Sequence, residues 1–155
     1  ALEHIEKDTF VIEEITKKLF TNNTPFIQIH MVPASKCLWL YLWHGYRQYS
    51  KKNLSNISIQ LKKKINVNTC IIPLGGNNSF WTHLRHITLP DFFKKIILKD
   101  KAFKWCNQKN VGEKIIKSVN KELDCNEENP IFWSFIISSN KINIKDNLVK
   151  NFQTK

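Results

Sequence analysis

Phe26-Ile27-Gln28-Ile29-His30-Met31-Val32 and Cys37-Leu38-Trp39-Leu40-Tyr41-Leu42-Trp43 are short runs of aromatic, aliphatic and β-branched residues, separated by Pro33-Ala34-Ser35-Lys36. Such residues suit a pleated surface and a break containing proline suits a reversal, so the pair reads as a β-hairpin. The second run carries a bulky apolar group at every position. That predicts a strand covered on both faces, and therefore the centre of its sheet.

Before the hairpin, Phe10, Val11, Ile12, Ile15, Leu19 and Phe20 recur at helical spacing. With Asp8 or Thr9 as cap and Glu13 or Glu14 in the early turns, an amphipathic helix is expected from Asp8 to Phe20. It ends at Thr21-Asn22-Asn23-Thr24-Pro25, where Asn and Pro turn the chain. After the hairpin, His44 to Lys64 supports two readings. Tyr46, Tyr49, Leu54, Ile57 and Leu61 fit a helix loosely, whereas Ile57, Ile59 and Leu61 alternate as in a strand. Thr69 to Leu74 reads as a buried strand closed by the turn Gly75-Gly76-Asn77-Asn78.

Pro90-Asp91 opens a further helix to about Asn107, and Val111, Ile115, Val119 and Leu123 form a narrow apolar stripe on another. Ile131 to Ile137, after Pro130, is expected to be a final core strand, and residues 142–155 a polar tail, mobile at its end. The pattern predicts an α+β fold: a small mixed sheet with about three packed helices, in a single domain spanning residues 1–155.

Composition narrows the class. Apolar residues are 42% of the 155, with ten Phe and five Trp, which is ample for one packed core. The longest wholly apolar run, Leu38 to Trp43, is far below the roughly 20 residues that cross a bilayer, so no membrane role is expected. The first residues, Ala1-Leu2-Glu3-His4, have neither Met nor a signal-peptide layout and read as the start of a fragment. Cys37, Cys70, Cys106 and Cys125 are widely spaced beside apolar neighbours, as suits buried thiols in a reducing compartment.

A net charge of +11, from 24 basic and 13 acidic residues, predicts attraction to polyanions or to an acidic protein surface. Arg47 and Arg85 are the sole arginines, although readers of bases and phosphates favour the arginine fork. The excess therefore argues less for direct nucleic-acid binding than its size suggests.

Signs of catalysis are sparse. Gly75-Gly76-Asn77-Asn78-Ser79 lacks the Gly-Lys-Ser/Thr ending of a P-loop and the third glycine of a dinucleotide fingerprint. His83 and His86 offer two metal nitrogens, with Cys106 or Cys125 to complete a set, but no paired short spacing supports a zinc site. Cys37 or Cys70 with His30, His44 or His83 would suit a thiol nucleophile, yet both thiols sit in or beside apolar runs. A nuclease using His83 or His86 rests on histidines alone. We expect no cofactor, no metal and no enzymatic activity.

Two segments concentrate polar aromatics, each with one arginine: Trp43 to Lys52 and Ser79 to His86. Tyr, Trp and Arg dominate binding hot spots because they bury area at low rotamer cost and keep a polar handle. The expected partner-binding residues are Tyr46, Arg47, Gln48, Tyr49 and Lys51 in the first, and Trp81, His83 and Arg85 in the second; the residues equally allow Tyr46, Tyr49 and Trp81 to be core residues with their polar tips at the edge. On the binding reading Arg47→Glu or Tyr49→Ala abolishes partner capture and leaves the fold intact.

These segments carry a resemblance. Cys37-Leu38-Trp39-Leu40-Tyr41-Leu42, then Tyr46-Arg47, Asn53-Leu54 and Trp81-Thr82-His83-Leu84-Arg85, resemble the origin-recognition-complex-interacting region of the first silent information regulator (Sir) protein of budding yeasts, over roughly residues 37–90. The resemblance implies a two-lobed, non-catalytic α/β module in the nucleus, docking on the bromo-adjacent homology domain of the largest subunit of the origin recognition complex. Its implied role is to recruit other silencing proteins to silencers and help establish heterochromatin, with contacts around Tyr46 to Tyr49. Direct binding to DNA is the alternative.

Overall fold

The computed structural model describes residues 2–40, 47–90, 108–121 and 130–142. The fold is α+β. A 3-10 turn at Leu2–His4 precedes helix α1 (Asp8–Thr21), strand β1 (Ile27–Pro33) and a second 3-10 segment at Ser35–Leu40. Helix α2 (Lys51–Ile65), strand β2 (Asn68–Leu74) and helix α3 (Asn77–His83) follow, and a π-helical turn at Leu84–Thr88 continues α3. Helix α4 (Gln108–Lys121) and strand β3 (Phe132–Ser138) complete the order.

The central strand is β3, since the three-stranded sheet runs β1-β3-β2. β1 and β3 pair antiparallel from Ile27↔Ser138 to Pro33↔Phe132. The final core strand lies where its apolar run predicts, and six of its seven residues are buried. The predicted hairpin is not formed. From Ser35 to Leu40 the chain coils into 3-10 turns with a kink at Cys37, and residues 41–43 lie outside the described residues. A short, continuously apolar run has no periodicity that separates a buried strand from a buried helical turn. The place beside β1 goes instead to a segment a hundred residues later that offers it a full ladder.

Tyr49 closes the space beyond β1 through backbone pairing. Its N–H donates to the Pro33 carbonyl (2.9 Å), and its own carbonyl accepts from Ser35 N–H (2.9 Å). The Trp133 indole N–H donates to the same Tyr49 carbonyl at 3.0 Å, so strand, turn and core are joined at one peptide. Backbone polar groups buried in this way must be paired, and all of these are.

α1 forms where its periodicity predicts, but its inner face differs. Asp8, Ile12 and Thr16 are buried at successive turns, whereas Phe10, Ile15 and Phe20 are 62%, 42% and 43% exposed. Two of the three inward residues are polar because β1 meets the helix with the amide of Gln28: the Thr16 hydroxyl donates to the Ile12 carbonyl (2.6 Å) and lies 3.0 Å from Gln28 Oε1. Asp8 heads the first turn without capping it, and its carboxylate is engaged elsewhere.

The open segment resolves as helix over Lys51–Ile65, with Leu54, Ile57, Ser58, Leu61 and Ile65 inward and Ile59 outward. Both ends are specified locally. Ser50 Oγ accepts from Asn53 N–H while Asn53 Oδ1 accepts from Ser50 N–H, a reciprocal capping box, and Asn66 closes the helix at φ 53° with its N–H on the Lys62 carbonyl. Ser50→Ala removes one of these partners and is expected to lower stability by about 1 kcal/mol, read as a shifted urea midpoint.

The chain divides into two compact units: residues 1–35, 43–72 and 132–155 in one, and residues 36–42 and 73–131 in the other. The first holds a core of Ile12, Val32, Tyr49, Leu54, Ile57, Leu61, Trp133, Phe135 and Ile137 under α1 and α2. β2, an edge strand, is half-buried along its length rather than buried as expected.

In the second unit the expected turn falls at Gly75-Gly76. Gly75 adopts φ +71°, and a Cβ there would stand 3.3 Å from Ile131, so both conformation and space favour glycine. The turn leads directly into α3, a helix the turn signal did not anticipate. α3 packs against α4, with Ser118 Oγ 3.5 Å from Ser79 Oγ. The expected helix over 91–107, the side chains of Val111, Ile115, Val119 and Leu123, and the tail beyond Ile142 lie outside the described residues. Among those described, no helix is long and apolar enough to cross a membrane.

Candidate docking surface

Of the first predicted segment, Tyr49 turns inward. Tyr46 lies outside the described residues, as do Trp43 to Gly45. Tyr49 is fully buried, and its hydroxyl donates to Asp8 Oδ2. Arg47 Nη1 donates to Asp8 Oδ1 at 2.8 Å, and the guanidinium lies 5.1 Å from the centre of the Tyr49 ring. Thr9 N–H adds a third donor at 2.6 Å. The Asp8 side chain is 2% exposed and that of Arg47 35%. The expectation that Tyr49 presents itself to a partner is therefore corrected.

Physically, an aromatic ring, a carboxylate and a guanidinium satisfy one another where α1 meets the chain before α2. A carboxylate removed from water needs several charge-assisted donors, and Arg47 and Tyr49 supply them across about forty residues of sequence. Composition held no sign of this partnership, because Asp8 at a helix start reads equally well as a cap. Gln48 is half-buried, and Lys51 is exposed on the first turn of α2.

In the second segment, which lies in the other unit, Trp81 and Arg85 face outward. Trp81 is 64% exposed, Arg85 is exposed, and Leu89 is 41% exposed. At positions i, i+4 and i+8 they make one stripe along α3 and its π continuation. The Trp81 ring is held edge-on by Phe80, with centroids 5.5 Å apart at 88°. Half-buried His83 is inward of the stripe, its Nδ1 3.1 Å from Thr88 Oγ1. Leu89, which composition does not mark, sits at the next helical repeat after Trp81 and Arg85.

His86 completes the surroundings. Partial burial first, then the positive charges of Lys114 on α4 and of neighbouring Arg85, hold its imidazole below the ordinary histidine range. Such surroundings repel a metal cation. Among the described residues no three His, Cys, Asp or Glu side chains gather as a metal cluster. The buried Cys37 thiol donates to the Pro130 carbonyl at 3.5 Å, and desolvation pushes its pKa up to about 11. It is a protonated thiol at neutral pH, not the thiolate that nucleophilic chemistry needs.

No protein-family model matches the chain, and no curated protein and no solved structure matches it.

Proposed function

We propose that this chain is a non-catalytic docking module of transcriptional silencing in the nucleus. It holds the bromo-adjacent homology domain of the largest origin recognition complex subunit and thereby brings other silencing proteins to silencers. The docking part is carried by one observation: the exposed stripe of Trp81, Arg85 and Leu89, an aromatic anchor, a cation and an apolar side chain on a single helical face. A large aromatic side chain held by a neighbour, as Trp81 is by Phe80, binds at low entropic cost, which is how hot spots work. The choice of partner follows the resemblance over residues 37–90. The protonated Cys37 thiol supports the non-catalytic reading.

The test is titration calorimetry of the full chain against the purified bromo-adjacent homology domain. Trp81→Ala is expected to weaken binding by at least about 30-fold, the scale of a hot-spot aromatic, with an unchanged circular dichroism spectrum. Undiminished binding by Trp81→Ala and Arg85→Glu alike would remove the stripe from the docking role.

One feature favours nucleic acid instead: Lys62, Lys63 and Lys64 are all exposed in the last turn of α2. Lys64, however, pairs with Glu13 at 2.8 Å, and a helix C-terminus favours lysine without any ligand. A salt series separates the readings, since phosphate neutralisation makes log affinity fall steeply and linearly with log salt.

A further inference from the structure

We infer that Arg85, His86 and Lys114 form an acid-reading subsite beside the Trp81 anchor, which takes the carboxylates of an acidic protein segment carrying an apolar residue for the tryptophan. This rests on the docking reading above and specifies the chemistry of the segment that docks. Three observations converge on it. Ser118, which faces Ser79 of α3, is one helical turn from Lys114, so Lys114 stands on the side of α4 that meets α3. Arg85 and His86 are consecutive on the π turn that continues α3, the helix against which α4 packs, and the charges of Lys114 and Arg85 both act on His86. No acid pairs with Arg85 or Lys114 among the described residues.

The π turn contributes to the placement. The Leu89 N–H bonds to the Leu84 carbonyl, five residues back, and the wider turn carries both Arg85 and His86. Such turns are uncommon and cluster at functional sites, because the inserted residue redirects the side chains around it. Like charges held together without a counterion are unfavourable, so a ligand that supplies carboxylates relieves their repulsion as well as forming new pairs. The net charge of +11 steers acidic segments toward the chain. The cluster has a single arginine fork and an exposed aromatic, which suits carboxylates beside an apolar side chain better than a run of phosphates.

His86 makes the subsite respond to acidity. The groups that act on it among the described residues are Arg85 on its own turn and Lys114 from α4. Held below the ordinary range, it is neutral at pH 7.5 and gains its proton as the pH falls, whereas Asp and Glu in the ligand stay ionised to about pH 4.5. Binding therefore tightens on acidification.

The experiment uses the full chain and a fluorescein-labelled twelve-residue peptide of alternating Glu and Leu, followed by anisotropy. A single-stranded oligonucleotide of equal length and inorganic phosphate serve as competitors. Lys114→Glu is expected to weaken peptide binding about five- to tenfold, through loss of one exposed pair and gain of a repulsion, and Lys62→Glu in the other unit to leave it unchanged. From pH 7.5 to 6.0 the wild type gains about two- to threefold and His86→Gln gains nothing. Equal binding by wild type and Lys114→Glu overturns the subsite, as does tighter binding of the oligonucleotide or full displacement by phosphate. The same variants against the bromo-adjacent homology domain keep the two ideas apart. Loss of capture with Trp81→Ala but not with Lys114→Glu leaves the docking function standing and refutes the acid-reading site. Charge-dependent peptide binding without capture refutes the partner alone.

Discussion

Tyr49→Ala is expected to lower the chain's stability by about 4 to 6 kcal/mol, because it empties the volume of a fully buried ring and strips a donor from a buried carboxylate. The ring is 0% exposed and lies in the same core as Leu54, Trp133 and Phe135. Truncating a large aromatic in such a setting costs about 3 to 5 kcal/mol by itself. The remainder comes from Asp8, which loses the phenolic hydroxyl while still out of water. Domains of this size are stable by roughly 5 to 15 kcal/mol, so the loss ranges from about a quarter to the whole of that stability. Tyr49→Phe, which keeps the ring, isolates the hydroxyl and is expected to cost about 1 to 3 kcal/mol. Urea unfolding followed by tryptophan fluorescence measures both. A Tyr49→Ala midpoint within 0.3 M of the wild type would refute the structural role, as that shift is below about 1 kcal/mol at ordinary slopes.

Arg47→Glu acts on the same knot from the other side. The 2.8 Å pair with Asp8 is lost, and a second carboxylate arrives where the first has only the Tyr49 hydroxyl and the Thr9 N–H and hydroxyl left. Breaking a buried pair costs about 3 to 5 kcal/mol. Arg47 is a third exposed and its replacement reaches water, which brings the expected loss to about 2 to 4 kcal/mol. Asp8→Asn in the Arg47→Glu background removes the repulsion and recovers part of that loss, so a double-mutant cycle with a coupling of at least about 1 kcal/mol is the expected signature. Additive effects would show that the two side chains act independently. Both substitutions were expected, from the sequence, to disable docking in an intact fold. Their contacts with buried Asp8 make them stability variants, so lost partner capture in either is read together with its urea midpoint, and the informative substitutions are those at Trp81, Arg85 and Lys114.

The two arginine segments have like compositions, yet Tyr49 of the first is buried and Trp81 of the second is exposed. Trp81 and Arg85, one helical turn apart, lie outward, as their residue types suggest. Tyr49 lies inward because Asp8, Pro33, Ser35 and Trp133 all bond to it, and none of these is a sequence neighbour. A tyrosine next to an arginine reads the same whether it anchors a partner or its own core. The partner it finds decides, and that depends on long-range closure.

Local signals settled what is local. The 3.6-residue spacing from Asp8, the capping box at Ser50 and Asn53, the glycine turn at Gly75 and the apolar run after Pro130 act over a few residues, and each leads to its element. Which strand lies at the centre was decided by tertiary structure, since Ile131 to Ile137 and Cys37 to Trp43 are both short, strongly apolar runs and pairing with β1 singles out the first. The inner face of α1 was decided in the same way. Burying Asp8 and Thr16 in place of Phe10 is favourable only once Arg47, Tyr49 and Gln28 stand opposite, because a buried polar group is stable when its partners arrive and costly before they do.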